Sequence, residues 1–189
     1  MSSNLYPTLW GEAELALTVQ MGITHLELWG SPLEALPSPP ALERLGAAAR
    51  ALGLHIWSVH APYGESCNLA SPDETQRRLA VGTVVSAMDR AQATGAALLV
   101  VHSGLLAHLE ERREPAVVRA VRSLNELWKR ASQRGLVMAV EYLPPGTRAL
   151  GAGSEELLFM QNLMDGEMSF CADVVHMYPA EDPATVIRT

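Results

Sequence analysis

The chain has 189 residues, 48% of them hydrophobic and 19% charged, and a formal net charge of −7 at pH 7. This composition supports one well-buried domain over residues 1–189 and excludes a disordered tail, a collagen-like repeat and a disulfide-stabilised scaffold. The acidic charge provides no broad basic surface, which disfavours a nucleic-acid partner. The longest fully apolar run has six residues, too few to span a membrane, and the N-terminus has no secretory pattern. We therefore expect a cytoplasmic protein.

Predicted strands and helices alternate along the chain, from a strand over about residues 5–10 to a sixth strand near residues 168–174. Helices are predicted over residues 40–52, from Ser71 onward, over residues 115–135 and over residues 154–164. Ser71 is the candidate N-cap of the second of these, because Pro and Glu follow it at suitable positions. The third is amphipathic, with its apolar face formed by Val117, Val121, Leu124, Trp128 and Ala131.

One unit recurs five times in the sequence. A helical pattern ends at or near a glycine, a short apolar stretch follows, and an ionisable residue comes five to seven residues after the glycine. The glycine supplies the left-handed residue that ends a helix, and the apolar stretch is typical of a parallel strand buried on both faces. The pairs are Gly22 and Glu27, Gly53 and His60, Gly95 and His102, Gly135 and Glu141, and Gly166 and Asp173.

This alternation indicates an α/β fold, either an open doubly wound sheet or a (β/α) barrel. The nucleotide-binding motifs of the open sheet are missing, whereas ionisable residues at equivalent strand ends favour a TIM barrel, in which those ends share one face. Each unit takes about 36 residues, so eight would need nearly 300, and even a typical barrel has roughly 250. We therefore predict an incomplete TIM barrel with about six of eight units, lacking strands 7 and 8. Its open sheet edges favour self-association.

Five candidate metal ligands lie at or just after predicted strand ends, in four consecutive units. In a barrel they would surround one cavity. Imidazole and carboxylate groups suit Zn²⁺, Mn²⁺ and Co²⁺, and two carboxylates buried together without a cation would be costly. The sequence therefore predicts a divalent metal site formed by His60, His102, Glu141, Asp173 and His176.

Two further residues are candidates for substrate contact. Glu27 ends a predicted strand, and a salt-bridged carboxylate at the barrel rim is the alternative interpretation. Tyr63, together with Trp10, would form an aromatic wall for a sugar or a base, and packing in the core is equally compatible with the sequence.

Other reactive side chains are interpreted as structural. Cys67 and Cys171 share no metal-type spacing; Cys67 has no adjacent base, and Cys171 is expected to point inward as a small core residue. Lys129, the only lysine, lies in the middle of a predicted helix and is a poor candidate for Schiff-base chemistry. The remaining histidines at strand starts or in polar segments are His25, His55 and His108.

Five motifs in this order resemble those of the xylose isomerase-like TIM barrels, over about residues 5–178. The motifs are His60-Ala-Pro-Tyr63, Asn68-Leu-Ala-Ser-Pro-Asp73, Val101-His102-Ser-Gly104, Val140-Glu141 with Leu-Pro-Pro, and Asp173-Val-Val-His176. The superfamily includes sugar and sugar-phosphate isomerases and epimerases, and also the bacterial apurinic/apyrimidinic endonucleases of AP endonuclease family 2. The set is specific for the superfamily and not for one activity.

A resemblance to the epimerases implies that Glu141 is a metal ligand and one of two carboxylates that move a proton next to a carbonyl. Asp173 would be a second ligand, and His176 would hold the substrate. A resemblance to the endonucleases implies a three-zinc cluster with all five residues as ligands. His60 and His102 would then hold one ion, Glu141 would bridge two, and the metals would activate water against a phosphodiester.

The chain departs from both patterns. The superfamily's last two strands normally bring a further His and a closing Glu, and in the endonucleases a further Asp and His, and none of these precedes Thr189. The Asp-Thr-x-His of the endonucleases reads Asp173-Val-Val-His176 here, which disfavours that branch.

The leading expectation is a metal-dependent sugar or sugar-phosphate isomerase or epimerase, with Glu141 and His176 as catalytic residues. Its cofactor would be Mn, Co, Mg or Zn, and its partner a small carbohydrate. The alternatives are an AP endonuclease-like zinc phosphodiesterase and, in another class, a non-catalytic truncated remnant.

Overall fold

The computed structural model describes residues 11–29, 38–178 and 180–188. Within these ranges, five parallel strands form one sheet whose order follows the chain. They are β1 (His25–Trp29), β2 (His55–His60), β3 (Leu98–Val101), β4 (Val137–Glu141) and β5 (Ser169–Cys171). The strand predicted over residues 5–10, with Trp10, lies outside the described residues.

The order of the strands decides between the two α/β architectures. A doubly wound sheet reverses its strand order at a switch point, whereas strands of a barrel follow one another around it. Each strand from β1 to β4 pairs with the next one in the chain. The predicted partial TIM barrel is therefore confirmed, with five of its strands in the described residues.

Helices connect the strands as the sequence predicts. Their bounds are α1 (Glu12–Gln20), α2 (Pro39–Ala51), α3 (Glu74–Thr94), α4 (Arg113–Gln133) and α5 (Ser154–Leu163), followed by the short α6 (Val174–Met177) and α7 (Pro183–Val186), with a 3₁₀ turn over Glu65–Cys67. None of the helices in the described part of the chain has the combination of length and apolar character that a membrane crossing requires.

The start of helix α3 and the end of strand β5 differ from the prediction. Helix α3 is capped by Asp73, whose Oδ1 accepts hydrogen bonds from the backbone N–H groups of Thr75 and Gln76 at 2.7 and 3.1 Å, and not by Ser71. Ser71 instead accepts a hydrogen bond from the Asp73 N–H. The predicted strand over residues 168–174 covers only Ser169–Cys171, because the Asp173 side chain caps α6 and turns the chain into a helix.

Glycine turns connect most helices to the strands that follow. The φ angles of Gly22, Gly53, Gly95 and Gly135 lie between 68° and 81°, the left-handed region that favours glycine. Gly166 has no positive φ, and its role is steric, because a Cβ atom there would overlap the Trp128 ring.

The core lies between the sheet and the helices. Leu99, Val101 and Val140 of the central strands have no exposed surface. The predicted apolar face of α4 is confirmed, since four of its five residues are buried and Trp128 packs against the core. This packing makes the sheet a rigid platform for the side chains at the carboxyl ends of its strands.

Candidate active site at the carboxyl ends of the strands

Three of the predicted ligands are placed by β2, β3 and β4. His60 ends β2, His102 follows β3 directly, and Glu141 ends β4. Because the strands are parallel, all three lie at the same edge of the sheet. The potential ligand atoms of this group lie within 4.8 Å of one another.

Both histidines of this group approach one oxygen of Glu141. Glu141 Oε2 lies 2.8 Å from His60 Nε2 and 3.0 Å from His102 Nε2. The side chains are 8%, 15% and 7% exposed for His60, His102 and Glu141. Such a cluster of buried polar groups requires a cation, either protons or a metal ion, to hold it together.

The hydrogen bonds of His60 show that Nε2 is the nitrogen available to bind a metal ion. His60 Nδ1 lies 2.8 Å from the carbonyl oxygen of Ala61, which can only accept, so Nδ1 carries a proton. Because Nδ1 donates to Ala61, the 2.8 Å bond to Glu141 Oε2 takes a second proton, on Nε2, and loss of that proton leaves the Nε2 lone pair free to bind a metal ion. A histidine ring held by a backbone carbonyl in this way is typical of metal ligands.

The other two predicted ligands follow β5 and form a second group with Glu141. Asp173 Oδ1 caps α6, while its Oδ2 lies 3.7 Å from His176 Nδ1. His176 Nδ1 lies 3.3 Å from Glu141 Oε1 and 3.1 Å from the carbonyl oxygen of Tyr142. The structure therefore brings all five predicted ligands together, in two groups that share Glu141.

The charges in the site favour an ionised Glu141. Burial alone would raise its pKa, but the hydrogen bonds and positive charge of His102 and His60 outweigh burial and lower the pKa to about 2. Burial lowers the pKa of His102. Burial also opposes a charged His60, but the bond to Glu141 and the charge of Glu141, together with Ala61 and Glu27, outweigh it and raise the pKa of His60. The site thus holds a carboxylate whose negative charge is available to a cation.

Glu27 lies beside the two ligand groups and belongs to neither. Its Oε2 accepts a hydrogen bond of 2.9 Å from the hydroxyl of Ser58 on β2. A bulge produces this pairing, because Leu26 opposes Ile56 while Glu27 opposes Ser58, which leaves Trp57 between them. The charge of Glu27 also raises the pKa of His60, so the carboxylate is near the site.

Aromatic rings line the site. Tyr63 stacks on His102 with ring centroids 4.0 Å apart and an angle of 22° between the planes. Trp29 stacks on His60 at 5.4 Å and meets the edge of Tyr63 at 5.8 Å. Sequence reasoning missed Trp29, although its position two residues after Glu27 places both on the same face of β1.

The two thiols are unsuited to nucleophilic catalysis. Burial raises the pKa of Cys67 to about 11, and the thiol donates to the carbonyl oxygen of Ala80. Burial, followed by the charges of Glu141, Glu27 and Asp173, raises the pKa of Cys171 to about 12.

Asn68 ties together the loops that follow β2 and β3. Its Oδ1 accepts from the N–H groups of Ala70 and Leu105 at 2.9 and 2.8 Å, and its amide donates to the Leu105 carbonyl at 3.0 Å. Arg148 adds bonds from the loop after β4 to the Leu106 carbonyl and to Glu65. The loops that carry Tyr63 and follow His102 are therefore held in place by polar contacts, of which those of the buried Asn68 are the most protected from solvent.

Known proteins resemble this chain in fold and in sequence. A "Probable endonuclease 4" of Nitratidesulfovibrio vulgaris is 27% identical over 146 residues, which cover 76% of this chain and 50% of the relative. A D-tagatose 3-epimerase-like protein superposes with a TM-score of 0.87 at 24% identity, covering 100% of this chain and 69% of that one. A D-psicose 3-epimerase crystallised in the presence of D-fructose has a TM-score of 0.82 at 14% identity, covering 96% and 65%. The chain thus spans about half the length of the curated relatives it matches.

The structural neighbours show the fold, and a sequence model of one family covers almost the whole chain. That family is described as "Xylose isomerase-like TIM barrel", and its model matches residues 15–188. The resemblance stated from the motifs is therefore confirmed. This chain belongs to the xylose isomerase-like TIM barrel family.

Proposed function

We propose that this chain forms the metal-binding and proton-transfer part of a metal-dependent sugar or sugar-phosphate isomerase or epimerase. The observation that carries the proposal is the position of Glu141, whose two oxygens face two different groups of donors. Oε2 faces His60 and His102, and Oε1 faces His176 at 3.3 Å. One carboxylate can therefore hold a cation and still face a substrate.

The donor set fits a divalent metal ion. His60 presents the lone pair of Nε2 once its Nδ1 donates to Ala61, and Glu141 is ionised. Asp173 uses Oδ1 as a helix cap, so its Oδ2 is the oxygen that faces the group formed with Glu141 and His176. Nitrogen and carboxylate oxygen donors in this mixture suit Mn²⁺, Co²⁺ or Zn²⁺, with Mg²⁺ favoured only by the carboxylates.

The residues of the chain then have distinct roles in moving a proton. A bound divalent ion would polarise the substrate carbonyl and make the neighbouring C–H bond more acidic. Glu141 Oε1 accepts that proton as general base, and in an epimerisation a second carboxylate would deliver the new proton to the opposite face of the same carbon. His176 donates Nδ1–H to the Tyr142 carbonyl, which leaves Nε2 as the atom that accepts a hydrogen bond from a substrate hydroxyl.

The surroundings of the site suit a small carbohydrate. Trp29 and Tyr63 provide aromatic surface that packs against the C–H groups of a sugar ring or chain. Glu27, held by Ser58, provides a carboxylate that accepts from sugar hydroxyls. We assign Glu27 and Tyr63 to substrate binding on this basis.

A second candidate function is an AP endonuclease-like zinc phosphodiesterase. It is favoured by the two donor groups that share Glu141, since a carboxylate between two clusters of donors is the arrangement of a two-metal site. His60 and His102 would hold one zinc ion. Asp173 would hold the second ion, which Glu141 bridges to the first, and His176 would hold the third ion of the endonuclease cluster. Sequence relatives named "Probable endonuclease 4" support the same reading.

Hydrogen exchange at the carbon next to the carbonyl tests the proposal. The protein from the complete reading frame that contains this sequence is incubated in D₂O with Mn²⁺ and a panel of ketoses and aldoses, with and without phosphate groups. We expect loss of that proton signal by NMR, removal of exchange by a chelator, and recovery with Mn²⁺ or Co²⁺. Nicking of abasic DNA without exchange in any sugar would instead establish the second candidate.

A further inference from the structure

The second donor group depends on a C-terminal segment that is less buried than the rest of the site. The side chains of Asp173 and His176 are 34% and 32% exposed, whereas that of Glu141 is 7% exposed. The strand that delivers them, β5, has only three residues. Their distance from Glu141 therefore depends on how the segment after β5 is attached to the barrel.

Glu181 attaches this segment through three hydrogen bonds. Its Oε1 accepts from the phenol of Tyr142 and from the backbone N–H of Ser154, both at 3.0 Å. Its Oε2 accepts from the hydroxyl of Ser154 at 2.6 Å. Ser154 is the first residue of α5, so the carboxylate also lies at the positive end of that helix dipole.

Tyr142 connects this attachment to the candidate ligands. It follows Glu141 directly and is fully buried. Its N–H donates to the carbonyl of Cys171 at 3.0 Å, its carbonyl accepts from His176 Nδ1 at 3.1 Å, and its phenol donates to Glu181. Tyr142 therefore contacts the segment at three points. The contacts at Cys171 and His176 lie on either side of Asp173, and the third contact is at Glu181.

We propose that Glu181 is a positioning residue for the metal site. Through its bonds to Tyr142 and Ser154 it holds Asp173 at ligand distance from Glu141 and keeps His176 beside Glu141, where it faces the substrate. The inference rests on the metal site of the proposed function and adds a residue that none of the motifs contains. Hydrogen bonds from Ser154 lower the pKa of Glu181, so the carboxylate is ionised at neutral pH. A residue that acts only as a cap of α5 would change the stability of the fold and leave the metal affinity unchanged.

Mn²⁺ titration of the 189-residue chain, followed by the EPR signal of the free ion, separates the two roles. We expect Glu181→Ala to weaken Mn²⁺ binding by about 10-fold or more, the usual cost of losing a group that orients a ligand. Glu181→Gln is expected to restore affinity to within about 3-fold, because its amide retains a carbonyl oxygen for Tyr142 and Ser154. Asp182→Ala is the matched control: Asp182 caps α7 through Thr185, and we expect no change in affinity.

Tyr142→Phe provides an independent variant if Glu181→Ala folds poorly. It removes the phenol while Glu181 still bonds to Ser154, so the cap of α5 is preserved, and we expect weaker Mn²⁺ binding. Wild-type affinity in both Glu181→Ala and Tyr142→Phe would overturn the positioning role and leave the metal site in place. If the wild-type chain binds no Mn²⁺, the metal site itself is contradicted and the positioning role is overturned with it.

Discussion

Glu141→Gln is expected to lower the rate of proton exchange next to the substrate carbonyl by about 100- to 10,000-fold, the usual contribution of a positioned acid–base group. The substitution preserves the size of the side chain but removes its negative charge and its basic oxygen. It also places an amide between His60 and His102, whose Nε2 atoms lie 2.8 and 3.0 Å from Oε2. The rate is measured by NMR in D₂O at saturating Mn²⁺.

Glu126→Gln is the control for the loss of one carboxylate. Glu126 lies on α4 and forms an exposed ion pair with Arg130 at 2.9 Å, away from the strand ends. Surface pairs of this kind contribute little, so the exchange rate should equal that of the wild type. An exchange rate in Glu141→Gln within about 10-fold of the wild type would contradict the role of Glu141 as general base.

Gly104→Ala is expected to lower the free energy of unfolding by about 3 kcal/mol or more, from backbone strain and overpacking together. The φ angle of Gly104 is +118°, which a side chain rarely adopts. An added Cβ would lie 2.7 Å from the backbone nitrogen of Ala70 and 2.8 Å from Oδ1 of Asn68. The change therefore pushes apart the loops after β2 and β3 that Asn68 holds together, and urea unfolding measures the loss.

Gly146→Ala separates steric overlap from backbone strain. Gly146 has a φ of +80°, and an added Cβ would have no neighbour within 4 Å. Only the cost of the left-handed conformation applies, so we expect the free energy of unfolding to fall by about 1 kcal/mol. Equal losses in the two variants would show that the close packing of Gly104 against Asn68 does not contribute to stability.

The fold follows from features that the sequence displays locally. Continuous apolar stretches after Gly95 and Gly135 are typical of buried parallel strands, and the structure contains β3 and β4 at those places. The stretch after Gly53, which forms β2, also contains His55 and Ser58. The end of β5 was predicted wrongly because a single side chain decides it, through two hydrogen bonds. The Asp173 carboxylate caps α6, and an apolar run alone does not reveal such a cap.

The gathering of the five candidate ligands was predictable, and their detailed contacts were not. Strand ends in a barrel converge, which is enough to place His60, His102 and Glu141 near one another. The division into two groups depends on which Glu141 oxygen each imidazole faces, a property of side-chain rotamers. Glu181 escaped notice because its bonds to Ser154 and Tyr142 cross 27 and 39 residues of chain.

The bulge opposite β1 is a further feature that the sequence pattern does not contain. Simple alternation along β2 predicts an even register with β1, but Trp57 has no partner there, and Ser58 opposes Glu27 instead. The hydrogen bond between Ser58 and Glu27 follows from this shift. The contact of Glu27 with Ser58 therefore depends on the structure, whereas the sequence alone already marked Glu27 as a candidate for substrate contact.

Metal content per chain, measured by elemental analysis, shows whether these residues form a divalent metal site. The wild-type chain is compared with the double variant Glu141→Ala/Asp173→Ala after saturation with Mn²⁺, Co²⁺, Mg²⁺ or Zn²⁺ and removal of free ion. We predict about one bound ion per wild-type chain and none in the double variant, because the variant removes both carboxylate ligands. Two or three zinc ions per chain would instead favour the phosphodiesterase, and an absence of metal from the wild-type chain would contradict the account.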